Sequence, residues 1–262
     1  MRKAIGKTYI ALILLFLYMP ILLLIFFSFN AGRSNVIFSG FSLRWYAELF
    51  QDEHMLRALA NTLIIAAVSS VAATIIGTMA ALRINKLKRF FRSVVMNVTY
   101  IPVLNPDIIT GVSLMLLFIA LNIPLGYFTV IIAHITFNIP YVILAIMPKL
   151  RQTDPHIVEA ANDLGASPFQ AFWKILFPQI LPGILSGLLM AFTLSVDDFV
   201  ITFFLRGTSV ETLATVIYTN TKQKIPLTIN ALCALMFVIV LIILILANLP
   251  YGKKNKKELE DF

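Results

Sequence analysis

Three stretches of this chain, Thr8 to Phe29, Ala58 to Leu82 and Ile108 to Pro148, contain no Asp, Glu, Lys or Arg. Runs of that length constrain the fold more than anything else in the sequence. A helix crossing the hydrocarbon core needs about 20 mostly apolar residues, and in lipid only a helix or a closed barrel satisfies every backbone hydrogen bond. The run from 108 to 148 is long enough for two crossings, and Asn122-Ile-Pro-Leu-Gly126 breaks it with two strong turn formers. With two later apolar stretches the expectation is an all-α polytopic membrane protein with six transmembrane helices, at about 8–29, 58–82, 95–121, 126–148, 180–205 and 228–249, forming one transmembrane domain over 1–262. Composition excludes the alternative. With 59% hydrophobic and 13% charged residues, against roughly a quarter charged in soluble domains, the chain cannot clothe a water-soluble surface. Its single cysteine, Cys233, leaves no disulfide framework.

The net charge of +8 could point to nucleic acid, but in a membrane protein the placement of the basic residues decides. Six crossings put both termini on one side. That side carries Arg2, Lys3, Lys7, Arg83, Lys86, Lys88, Arg89, Arg92, Lys149, Arg151, Lys174, Lys253, Lys254, Lys256 and Lys257; the other holds only Arg33, Arg44, Arg57, Arg206, Lys222 and Lys224. The positive-inside rule makes both termini cytoplasmic, and a nucleic-acid role falls away. The first span reads as retained, because its apolar core is too long for a signal peptide and no small-x-small site follows it. Gly6-Lys7-Thr8 imitates the end of a phosphate loop, but no strand precedes it. On the outer face, Trp45, Tyr46, Leu49 and Phe50 recur at helical spacing and predict a short amphipathic helix serving as an aromatic anchor at the interface.

The loop 149–178 is too long for a turn and rich in helix punctuation. Asp154-Pro155 reads as an N-cap followed by a first-turn proline. The helix it opens runs through Glu159, Ala160 and Ala161 to Leu164, where Gly165 supplies a stop. Ser167-Pro168-Phe169-Gln170 then opens a second helix with a capping box, expected to reach Phe177 before Pro178. Ile157, Leu164, Phe169, Phe172 and Trp173 give this element more apolar surface than a solvated loop carries, so part of it should dock against something. Glu159 can offer a carboxylate to a basic partner, or bridge locally to Arg151.

Glu159-Ala160-Ala161, Gly165, Ile175 and Pro178 together resemble the EAA motif of binding-protein-dependent ABC importer permeases, EAA-x3-G-x9-I-x-L-P, with Phe177 standing where leucine is usual. The resemblance covers nearly the whole chain. It implies the MetI-like fold of these permeases, and a loop that inserts into a cleft on an ATP-hydrolysing subunit and passes its closure to the spans. ATP and Mg would then be bound by partner subunits, with no cofactor and no enzymatic activity on this chain.

In the fifth span Gly183, Gly187, Ala191 and Ser195 recur every four residues. In lipid such small residues mark faces where helices meet, whether within this subunit or against another. At 100° per residue a continuous helix places Asp198 within that stripe and Asp197 beside it. Ala66, Ser70, Ala73, Gly77 and Ala80 form a similar series in the second span. Ionisable residues inside a span are costly and by default functional, so Asp198 and Asp197 are candidates for an outward-opening cavity that attracts a cation, with Phe199 adding a cation–π contact. The competing reading is that they bond to backbone or Arg206. Asp107, after Pro102 and Pro106, reads as the cap of a restarted helix. His134 and Asn138, four apart, can hydrogen-bond across helices; no metal site is expected, since no further ligand lies at suitable spacing.

Ser195-Val-Asp-Asp-Phe199, Phe41-Ser-Leu-Arg-Trp-Tyr46 and the EAA loop are similar to the C-type permease subunit of spermidine/putrescine importers. That likeness implies a multi-pass protein of the bacterial inner membrane, transporting polyamines with a second, non-identical permease, two ATP-binding subunits and an external polyamine-binding protein. A permease for a sugar, phosphonate or metal-chelate is the nearest alternative. A secondary transporter would show internal repeats with paired broken helices, which this sequence lacks.

Overall fold

A computed structural model describes residues 2–34, 36–154, 156–208, 210–221, 227–239 and 241–242. Arg57–Tyr218 forms one compact unit, and the described parts of Met1–Leu56 and Thr219–Phe262 form another. The described chain is helical, with one isolated β-bridge between Asn30 and Phe41.

In the terminal unit, α1 (Arg2–Ser28) is a single apolar helix whose side chains from Tyr9 to Leu23 are mostly exposed, as expected of a surface solvated by lipid. A loop leads to α2 (Arg44–Gln51). The short helix expected here is present, with one face turned inward. Trp45 and Leu49 are buried, and the Trp45 indole N–H donates to the Asn30 carbonyl at 2.6 Å. The buried Asn30 side chain in turn donates to the carbonyls of Ser34 and Ile37, both at 2.8 Å. The tryptophan therefore pins the loop, because a buried indole N–H needs a partner; of the four expected anchors, only Phe50 is left largely exposed. The apolar helix Leu227–Ile239 occupies part of the expected sixth span, whose last part, 243–249, lies outside the described residues.

The larger unit is built around α6 (Tyr127–Gln152), flanked by α3 (Glu53–Asn85) and α9 (Phe177–Asp197). Hydrophobic burial supplies little drive between helices in lipid, so close packing must do the work. Val142 on α6 illustrates it. A Cβ added to Gly77 of α3 would come within 2.7 Å of its Cγ1, and one added to Gly187 of α9 within 3.3 Å of its Cα. Glycine on both sides lets one valine sit between two backbones. Gly183, Gly187, Ala191 and Ser195 are all buried along α9, and the neighbours of Gly183 and Gly187 are Val142, Ala145, Ile146 and Lys149 of α6. This stripe thus packs within the subunit.

Two expected spans are interrupted. The third, 95–121, consists of α4 (Arg89–Leu104) and α5 (Asp107–Ala120), bent by 98° at Asn105-Pro106. Proline has no N–H and restricts the residue before it, which here is extended (ψ 135°). The fifth, 180–205, ends at Asp197, and a separate helix α10 (Val200–Leu205) follows. α11 (Leu213–Thr221) completes the described elements before the Leu227–Ile239 helix.

Candidate functional site

The loop that carries the EAA pattern folds as a helical hairpin. α7 (Ile157–Asp163) begins two residues later than Asp154 alone suggested; Asp154 Oδ1 accepts the His156 N–H at 2.9 Å just ahead of it. The chain then reverses at Gly165, whose φ of +87° is a left-handed conformation that side chains disfavour. α8 (Pro168–Ala171) starts on the expected capping box: Ser167 Oγ accepts the Gln170 N–H at 3.3 Å while Gln170 Oε1 accepts the Ser167 N–H at 3.1 Å. The second helix does not stop before Pro178. It widens into a π-turn over Phe172–Leu176 and continues as α9. The Phe177 N–H reaches the Phe172 carbonyl, and the extra residue in that turn brings Pro178 into the first turn of α9, where its missing N–H costs nothing. The hairpin is therefore covalently continuous with the fifth span.

Its surface is unusually apolar for a connecting loop. Leu164 is 90% exposed, Phe169 71% and Trp173 47%. Phe177, at the position of the motif's leucine, lies 4.7 Å from the Trp173 ring centre. Glu159 pairs with His156 at 2.9 Å rather than with Arg151. This bond, and the negative charge behind it, raise the His156 pKa above its usual value. Ala161 is buried against the hairpin and Ala160 is open to solvent.

At the other end of α9 the break is polar and buried. Asp198, in extended conformation, caps α10: its carboxylate accepts the N–H groups of Ile201 at 3.2 Å and Thr202 at 2.8 Å, and the Thr202 hydroxyl at 2.8 Å. His134 Nε2 lies 3.0 Å from that hydroxyl and 3.4 Å from the carboxylate. Thr202 has one hydroxyl proton and spends it on Asp198, so its oxygen accepts from the His134 Nε2–H. One turn further along α6, Asn138 Nδ2 donates to Ser195 Oγ at 2.8 Å, and Ser195 lies 3.1 Å from Ser69 of α3. His134 and Asn138 do bond across helices, and no cluster of metal ligands occurs among the described residues.

The break opens a cavity of about 250 Å³ lined by Asp107, Phe137, Tyr141, Asp197, Asp198 and Phe199, among others. A second hollow, of about 290 Å³, adjoins it through Asp107, Phe137 and Tyr141. The wheel was misleading here, because it assumed an unbroken helix. Asp198 is committed to the cap, whereas Asp197 is exposed. Asp107 does not cap α5 with its side chain; it is the first residue of that helix and lines both hollows. Phe199 stacks against Tyr218 at 4.1 Å, which covers one of its faces. Sequence reasoning overlooked Tyr141 and set Asp107 aside; the signal available was an intramembrane carboxylate next to a proline break.

Residues 73–251 match the family model described as the binding-protein-dependent transport system inner membrane component. The chain belongs to this family. The putrescine transport system permease protein PotI of Escherichia coli K12 is 39% identical over 254 residues, covering 94% of this chain and 90% of that protein. The spermidine/putrescine transport system permease protein PotC of Haemophilus influenzae is 35% identical, covering 97% and 99%. Among solved structures, a chain of a bacterial ABC transporter involved in the import of the acidic polysaccharide alginate superposes with a TM-score of 0.71 at 19% identity, over 96% of this chain and 94% of that one. A second crystal structure of the alginate transporter, in complex with its pentasaccharide-bound periplasmic protein, gives 0.69. This family member thus has the MetI-like ABC permease fold and is an inner membrane component with several apolar helices.

Proposed function

We propose that this chain forms half of the transmembrane pathway of an ATP-driven importer for polyamines such as putrescine and spermidine. The observation that carries the reading is the cavity at the α9–α10 break, where Asp107 and Asp197 face an apolar and aromatic wall containing Phe137 and Tyr141. A flexible chain of ammonium groups and methylenes needs both features: carboxylates that replace part of its hydration, and apolar or π surface for the carbons and the charge. In this reading Asp107 and Asp197 contact the cargo, and Asp198 holds the break that exposes them. The stacked Phe199 shapes the wall. Delivery by an external polyamine-binding protein leaves the pathway needing only weak sites.

The hairpin supplies the other half of the proposal. Glu159, Ala160, Ala161, Gly165, Ile175 and Pro178 belong to a rigid element that runs straight into the spans and presents unpartnered apolar side chains. We assign it to the cleft of an ATP-binding subunit, two of which, with a second and non-identical permease, would complete the assembly. ATP and Mg reside on those partners. Six spans with both termini cytoplasmic fit the basic-residue asymmetry. The test is uptake of radiolabelled putrescine and spermidine in cells lacking other polyamine importers. Asp197→Asn is expected to lower uptake about tenfold, a loss of about 1.4 kcal/mol in transition-state binding, with unchanged membrane abundance; undiminished uptake in an Asp107→Asn/Asp197→Asn double variant would remove the cavity from the path.

A further inference from the structure

A polar cavity without an assigned role lies against α4. The α4 residues Arg89, Arg92, Ser93, Asn97 and Tyr100 follow the i, i+3, i+4, i+8, i+11 rhythm of one helical face, and with Arg151 from the end of α6 they line this cavity of about 390 Å³. None of these three guanidinium groups hydrogen-bonds or pairs with a carboxylate among the described residues. The opposite face of α4 is apolar and exposed, with Phe90 at 73%, and Phe91, Val94, Val98 and Ile101 also open. A smaller hollow continues from the first through Tyr100 and Arg151 onto Met96, Leu144, Met147 and Pro148.

We infer that this cavity is a binding site for the phosphate headgroup of an anionic phospholipid. Guanidinium groups recognise phosphate oxygens in a fixed, paired geometry, and three without partners form a site that lacks its counter-charge. The site's form selects a lipid over a free anion: a cationic mouth leads to an apolar floor of Met96, Leu144, Met147 and Pro148. Basic pockets between helices on the cytoplasmic side are where anionic headgroups collect, and both Arg89 and Arg151 fall on the side that the charge asymmetry makes cytoplasmic. The inference does not depend on the nature of the cargo.

Native mass spectrometry of the full-length chain in its purified complex, released from nanodiscs of phosphatidylcholine with phosphatidylglycerol, reads this directly. The wild-type chain is expected to retain phosphatidylglycerol at least fivefold more than Arg92→Gln/Arg151→Gln, whereas Arg151→Lys, which keeps the charge, retains an intermediate amount. Millimolar inorganic phosphate should leave the adducts in place. Equal retention by wild type and the double variant, with both complexes intact, would overturn the site; displacement by phosphate alone would overturn its assignment to lipid.

Discussion

The two ends of α9 are interrupted in opposite ways. At the hairpin end the chain turns at Gly165, with no atom within 4 Å of where its Cβ would be, and leaves Leu164, Phe169 and Trp173 exposed. At the other end it turns at Asp198, whose carboxylate is 7% exposed and engaged by Ile201, Thr202 and His134. One break is unfinished, its apolar side chains left open. The other is satisfied from within, and its product is the neighbouring open carboxylate of Asp197. That difference suits the proposed roles: an element that transmits force between subunits must be incomplete alone, whereas a pathway must hold its shape in each subunit without help.

That contrast can be broken at several points. The largest effect on folding is expected at the buried end. Asp198→Ala removes the cap of α10 and leaves the Ile201 and Thr202 N–H groups and the Thr202 hydroxyl without their acceptor, a loss of about 2–4 kcal/mol, visible as lower thermal stability of the purified complex and as lost protection of α10 in hydrogen exchange. If α10 keeps its protection, the break is not held by Asp198. Between the two ends, Gly187→Val drives a side chain onto the Val142 backbone and should cost about 1–3 kcal/mol; stability equal to wild type would mean that α6 and α9 are free to part.

The unfinished end should respond differently. Gly165→Val costs the fold only about 1–2 kcal/mol, from the left-handed conformation alone, since space is available. Uptake should nevertheless fall by far more than membrane abundance does, and transport in proportion to abundance would deny the hairpin its coupling role. The smallest effect concerns His156. Its raised pKa means the His156–Glu159 bond contributes fully below the unfolded histidine value of about 6.5 and is lost as pH rises through the higher folded value. Glu159→Gln is expected to lower the His156 titration midpoint seen by NMR; a midpoint that stays put would assign the shift to another group.

Much of the hairpin was legible before any coordinates, because its signals are local. Gly165 and the Ser167–Gln170 box act within a few bonds of backbone, so spacing suffices to find them. The π-turn was not legible: Pro178 looks like a terminator until one extra residue in the preceding turn accommodates its ring. The paired hollows were less visible still. A helical wheel placed Asp198 on the packing face because it presumed that the helix carried on through it, and it left Asp107 as a cap.

The sequence by itself determined where lipid must surround the chain, which end of each span carries positive charge, and which loop bears the EAA pattern, since these depend on run length and residue type. Only the tertiary structure decided which carboxylate is spent and which stays open. That choice turns on His134, Thr202 and Asp198 meeting from different helices, with His134 more than sixty residues away in the chain, and polar groups in a low-dielectric interior go wherever a partner stands within hydrogen-bond reach.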